Sequence, residues 1–211
     1  MLSRSLIRSS LLGAACLLAS GGLPRPSSAR ETDAGASTAP AVVFENERVR
    51  VLKASRGLGL ASHPAAVVVF LDNGEAHWSQ DLPQGVAEKR PLIIVEPKGP
   101  AGSRTAPPGP GAPGPSGVPP PGFSFQPLFE NDRVSVIRGR MEANAHEGNH
   151  THSSDIVLVH LSGGTIEDTA EGKTKINRWK PGDVEFEARG SSHSARNLGP
   201  AVQAVLVTLK P

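Results

Sequence analysis

Two stretches of this chain carry nearly the same residues. Phe44-Glu45-Asn46-Glu47-Arg48-Val49 is echoed by Phe129-Glu130-Asn131-Asp132-Arg133-Val134. His63, followed by Val67-Val68-Val69-Phe70-Leu71 and Gly74, is echoed by His152, followed by Ile156-Val157-Leu158-Val159-His160 and Gly163. Such an echo confines the fold to one supersecondary unit used twice. The copies are unequal. From Gly74 to Leu92-Ile93-Ile94-Val95 there is little chain, whereas a much longer run separates Gly163 from 202–209. The first copy has lost the middle of the unit.

Helical periodicity is weak throughout, and short runs rich in Val, Ile and Leu alternate with turn signals, which reads as all-β. In the second copy the pattern predicts strands near 134–138, 155–161, 164–168, 173–179, 183–187, 192–196 and 201–209. Lys180-Pro181-Gly182-Asp183 has the chemistry of a type II turn, with proline presetting φ and glycine accepting a positive one. Val184 and Phe186 alternate with Glu185 and Glu187, so that strand should bury one face and wet the other. Seven or so short strands at this spacing predict a sandwich or barrel.

Between the copies, Pro107-Pro108-Gly109-Pro110 and Pro119-Pro120-Pro121 sit in a stretch with little to bury and few amide donors. It reads as a disordered or polyproline-like tether rather than a docking motif, since no charges flank it at fixed spacing. The expected layout is a leader over 1–29, a polar lead-in to residue 40, a first copy over 40–97, a tether over 98–125 and a second copy over 126–211.

The leader has the build of a secretory signal. Arg4 and Arg8 precede Leu11-Leu12-Gly13-Ala14-Ala15-Cys16-Leu17-Leu18-Ala19, a run too short to span a membrane. Cleavage is expected after Gly21 or Ala29, giving a secreted or periplasmic protein. Gly13-Ala14-Ala15-Cys16 is a weak lipid-attachment context. Glycine fits poorly there, which favours a small residue within the apolar run. Without Cys16 the chain has no cysteine and so no disulfide. The formal charge of +2 includes Arg4 and Arg8, there is no tyrosine, and no basic stripe stands out. Nucleic-acid binding is therefore not expected.

The chemistry concentrates in the second copy. His150 and His152, two apart on a strand, face the same side, and His193 from a later strand could complete a set on one ion. Imidazole suits Zn, Fe, Cu, Ni and Mn.

With these residues in view, the second copy resembles the cupin superfamily. The first motif reads His150-Thr151-His152, an apolar strand and Gly163. The second reads Gly182, Gly190, His193 and Asn197 at the family's intervals, with Ala188 where proline is usual. The resemblance covers 129–210 well and 44–95 weakly. It implies a double-sheet jelly-roll barrel (the cupin double-stranded β-helix) holding a divalent ion. The histidines matching the family's ligands are His150, His152 and His193. The usual glutamate ligand falls on or near Ile156, which cannot coordinate, and Asp155 is turned to the opposite face unless a bulge intervenes. His160, on the face of Ile156, is either a substitute ligand or an imidazole packed in the core. Glu147 reads as a solvated loop carboxylate within reach of the barrel mouth, and His146 as solvent-facing. His77 and Trp78 shelter an edge. Trp179 and Phe186 belong to the core or line a pocket. The Asn149 sequon is incidental beside an inward ligand. In the first copy Ala61 stands in place of the first histidine, His63 keeps the second, and the second motif is absent. That copy reads as metal-free, packed against the barrel or against another chain.

The function implied is a metal-binding barrel for a small polar or carboxylate ligand, as an oxygenase or isomerase. The alternative is a non-catalytic ligand-binding or scaffold cupin that has lost its metal chemistry. Cupins often pair through edge strands, so a homodimer is expected.

Overall fold

The computed structural model describes residues 40–55, 60–99 and 119–210. The leader, Cys16, most of the lead-in and residues 100–118 of the tether lie outside the described residues. No described helix is long and apolar enough to cross a membrane.

The first part is one antiparallel sheet of β1 (Ala41–Glu45), β2 (Val49–Ala54), β3 (Val67–Phe70), β4 (Ala76–Trp78) and β5 (Leu92–Pro97), in the order β1-β2-β5-β3-β4. Three single-turn 3-10 segments, Leu60–Ser62, Ser79–Asp81 and Val86–Lys89, connect its strands.

The second part has nine strands: β6 (Phe123–Glu130), β7 (Val134–Met141), β8 (His146–Thr151), β9 (Ile156–His160), β10 (Gly164–Ala170), β11 (Lys173–Trp179), β12 (Val184–Glu187), β13 (Ser192–Asn197) and β14 (Val202–Leu209). They form a sheet in the order β12-β9-β14-β7-β6 and a second in the order β11-β10-β13-β8. Together these are the cupin-type jelly-roll barrel. The Lys180–Asp183 turn forms as expected, with Gly182 at φ 81° and the Asp183 amide donating to the Lys180 carbonyl at 3.0 Å.

The seven predicted strands of this part match β7 and β9–β14. The pattern missed β6 and did not delimit β8. β6 starts at Phe123, inside the stretch assigned to the tether. β8, His-Glu-Gly-Asn-His-Thr, has almost no apolar side chain and is held by its ladder to β13.

The first sheet has the strand order of the barrel's five-stranded sheet, with β1, β2, β5, β3 and β4 standing where that sheet has β6, β7, β14, β9 and β12. What it lacks, among the described residues, is the other layer, which carries β8 and β13. Both parts also share a turn. Asn46 Oδ1 accepts from the amides of Arg48 and Val49 at 2.8 and 2.9 Å, and Asn131 Oδ1 accepts from those of Arg133 and Val134 at 2.9 and 3.0 Å.

The central strands of the first sheet are buried on both faces, while its edge strand β1 is largely exposed. One face sets Val49, Val51, Val67, Val69, Ile93 and Val95 against Val134, Val136, Val157, Val159, Val205, Val207 and Leu209 of the barrel. The other face, Leu52, Val68, Phe70, Leu92 and Ile94, is closed by Ala87, Leu60, Leu82 and Val86 from the 3-10 segments and their flanks. Burial on two faces is why β3, β5 and β9 read as continuous apolar runs. Trp78 joins the inter-sheet core from β4, an edge strand, and His77 meets Phe70 edge-on at 6.0 Å. The barrel's five-stranded sheet thus turns odd positions of β9 and even positions of β12 toward the first sheet, and the alternate positions inward.

Candidate metal centre

β8 and β13 pair antiparallel with His150 directly opposite His193. His152 lies one residue beyond β8 but is tied to the turn leading into β13. Its amide donates to the Ser191 carbonyl at 2.9 Å, and its carbonyl accepts from the Gly190 amide at 2.8 Å. Gly190 sits at φ 83°, where a side chain would strain the backbone, although its surroundings leave space for one. The motif glycine therefore serves the conformation that brings this amide to His152.

The three rings form a near-equilateral triangle, with centroids 4.8, 4.7 and 4.9 Å apart. One ring nitrogen from each lies within 4.8 Å of the other two. Hydrogen bonds hold two rings in place. His193 Nδ1 faces Asp168 Oδ1 at 2.9 Å, and His150 Nδ1 faces the Gly148 carbonyl at 3.1 Å. Both partners accept, so Nδ1 carries the proton in each neutral ring and Nε2 is left free as a ligand atom. His150 Nε2 and His152 Nδ1 are buried without a hydrogen-bond partner. Three neutral imidazoles with free, converging nitrogens fit a divalent transition ion.

Two carboxylates complete the surroundings. Glu187 Oε2 lies 3.5 Å from His152 Nδ1, and its Oε1 lies 3.7 Å from His193 Nε2. Glu147 Oε1 lies 3.7 Å from His150 Nε2. Glu147 is three residues from His150 and would ordinarily face the other way. The ladder shifts between His193 and Ala195, setting Ala195 against Glu147, and this turns Glu147 inward. The expected solvated loop carboxylate is thus a half-buried residue of the cavity wall, because a bulge changes its face. Burial, then the neighbouring Glu185, Glu147 and Asp168, push the Glu187 carboxyl up to about 9. Burial, then His193 and His150, lower His152 to about 4. Carboxyl groups crowd together here while His152 resists protonation, which is the electrostatic setting that a bound cation relieves.

The cluster opens into a cavity of about 120 Å³ between the barrel's sheets. Its opposite wall is apolar, with Phe123, Phe125, Met141, Leu158 and Leu206. Glu185 and Glu187 point into it, while Val184 and Phe186 pack toward the first sheet, where Phe186 stacks on Phe44 at 5.1 Å. The alternation expected in β12 is real, but its polar face meets the barrel interior rather than solvent. Trp179 lines the cavity; Phe186 does not.

The structure brings His150, His152 and His193 together and leaves His160 outside that group. His160 lines the same cavity with Nε2 3.6 Å from Glu185 Oε2. Ile156 is buried, and Asp155 faces away from the cavity, as the strand period requires. His146 is exposed. In the first part His63 pairs with Glu96 and, among the described residues, belongs to no cluster of metal-ligating side chains.

No family model and no curated protein matches the chain. Among solved structures it is similar to a cupin domain from Bordetella pertussis Tohama I, at 23% identity over 45% of this chain and 100% of that one, with a TM-score of 0.41. It is also similar to an RmlC-like cupin from Shewanella frigidimarina, at 18% identity over 43% of this chain and 78% of that one, TM-score 0.37. A third is the DMSP lyase DddQ from Ruegeria pomeroyi, at 22% identity over 41% of this chain and 46% of that one, TM-score 0.36.

Proposed function

We propose that the chain is an exported, metal-dependent cupin built from a duplicated unit, acting on a small polar molecule by proton transfer. His150, His152 and His193 would hold the ion, and Asp168 would keep His193 turned toward it. When bound, a divalent ion of this kind supplies Lewis-acid polarisation of a ligand oxygen. Glu187 takes or returns a proton at the ligand atom nearest His152 and His193, and Glu147 orders the opposite side. The apolar wall excludes water and orients the remainder of the ligand. An isomerase fits this arrangement better than an oxygenase, because two acid groups flank the imidazoles. A cavity of this size accommodates roughly half a dozen heavy atoms beside an ion.

The observation that carries the reading is the convergence of three imidazole nitrogens within 4.8 Å of one another, with a carboxylate oxygen 3.5 Å from one of them. Elemental analysis of untagged protein tests it. Close to one transition ion per chain is expected, and none in the His150→Ala/His193→Ala variant. Protein that neither retains nor takes up Zn²⁺ or Co²⁺ would leave only a metal-free binding role. Ile156 in place of the family's glutamate is the feature that favours this second reading.

A further inference from the structure

The same cavity contains a second polar pair that the metal centre does not use. His160 ends β9, and its side chain is 9% exposed. Its ring lies on Trp179, with centroids 4.4 Å apart and planes 13° from parallel. Its amide donates to the Asp183 carbonyl at 3.0 Å, and its carbonyl accepts from the Gly182 amide at 2.7 Å. The backbone is pinned and one face of the ring is covered, so the imidazole holds one orientation. Its Nε2 is nevertheless buried without a hydrogen-bond partner, and Glu185 Oε2 stands 3.6 Å away. Folded proteins rarely leave such atoms unpaired, and this one lines a cavity.

Glu185 and Glu187 point inward from the same strand, two residues and so about 7 Å apart. Glu187 belongs to the imidazole triangle, which places the His160–Glu185 pair one short ligand's length away. The Glu185 carboxylate accepts, and the His160 Nε2 beside it accepts or donates according to its tautomer, so the pair suits a group that carries a donor, a hydroxyl or an ammonium. We propose that His160 and Glu185 form a second anchor, holding a terminal hydrogen-bond donor of a small ligand whose other end reaches the histidine triangle. The role rests on the metal-centre reading for the ligand's far end, but the anchor is a property of these two residues. It also gives His160 a task other than ligation.

Butyrate, 4-hydroxybutyrate and 4-aminobutyrate serve as probes, since they differ only in the terminal group. Titrations of Zn²⁺-loaded protein, followed by the imidazole ¹H–¹⁵N signals, should show the hydroxyl or the amino probe binding about fivefold tighter than butyrate. Whichever is tighter identifies the donor. His160→Gln and Glu185→Gln should each erase that advantage while leaving butyrate unchanged. The His160 ring signal, identified by its loss in His160→Gln, should move with the donor probes in metal-free protein as well. Equal binding of all three probes overturns the anchor, as does an advantage that survives both substitutions. Failure to take up zinc overturns the metal-centre reading alone, and the metal-free titration then decides the anchor.

Discussion

Arg48 Nε donates to Asp155 Oδ2 at 3.1 Å, joining the first sheet to the loop that carries His152. The same guanidinium donates to the Lys210 carbonyl at 3.2 Å, and Asp155 Oδ1 accepts from the Arg189 amide at 2.9 Å. Arg189 precedes Gly190, whose amide holds the His152 carbonyl. The first sheet thus steadies the turn behind the imidazole cluster. Arg133, the counterpart of Arg48, reaches the other way, donating to the carbonyls of Pro97 and Gly99 at 2.8 and 2.6 Å.

Arg48→Met should weaken Zn²⁺ binding several-fold without unfolding the protein, as measured by competition with a chromophoric chelator. The lost interaction is partly exposed, so its direct contribution to stability is only about 1 kcal/mol. The melting temperature should fall by about 2–4 °C. Unchanged zinc affinity in a folded variant would show that the first sheet does not support the site.

Asp168→Ala should reduce metal affinity about 10- to 100-fold, because His193 loses the acceptor that fixes its tautomer and orientation. Asp168→Asn, which keeps an acceptor oxygen, should lose less. The same chelator competition ranks the two, and the reverse ranking would remove Asp168 from the site.

Metal-free protein should lose stability as the pH rises above about 6.5. Glu187 is pushed up to about 9, so between its ordinary value and 9 the folded state binds the extra proton and stability declines. His152 is lowered to about 4, so from about 4 to its ordinary 6.5 the unfolded state binds the extra proton and stability rises with pH. The two slopes oppose each other on the acid side, leaving Glu187 alone above 6.5. Melting curves in EDTA from pH 5 to 9 should show this decline, and Glu187→Gln should flatten it.

Cutting the chain within residues 100–118 should leave both parts associated, because seven barrel residues from Val134 to Leu209 are buried against the first sheet. A fragment covering 119–211 alone should aggregate or self-associate on size-exclusion chromatography. A monodisperse, folded monomer would show that the inter-sheet face is dispensable.

The fold was legible because β-branched runs and glycine turns keep their period wherever one face is apolar. Three histidines were legible because two motifs fix their intervals. Glu187 was not. Its strand alternates acid with apolar residues, which normally marks a solvent edge, and only the presence of the first sheet on the barrel's outer face reverses that assignment. Glu147 was hidden by a register shift opposite Ser194, and no periodicity rule sees a bulge in advance. Asp168 sits on β10 far from either motif, and only the pairing of β10 with β13 brings it to His193. Asp155 showed the reverse: strict alternation put it on the outer face, where Arg48 meets it.

The closure of the first sheet by its 3-10 segments has a bearing on stoichiometry. Its second face is filled by Leu60, Leu82 and Val86 where the barrel has a chamber, so among the described residues that face leaves no interior room for a guest. A polypeptide with two five-stranded sheets of the same strand order should therefore saturate at a single equivalent of ion and a single equivalent of small molecule.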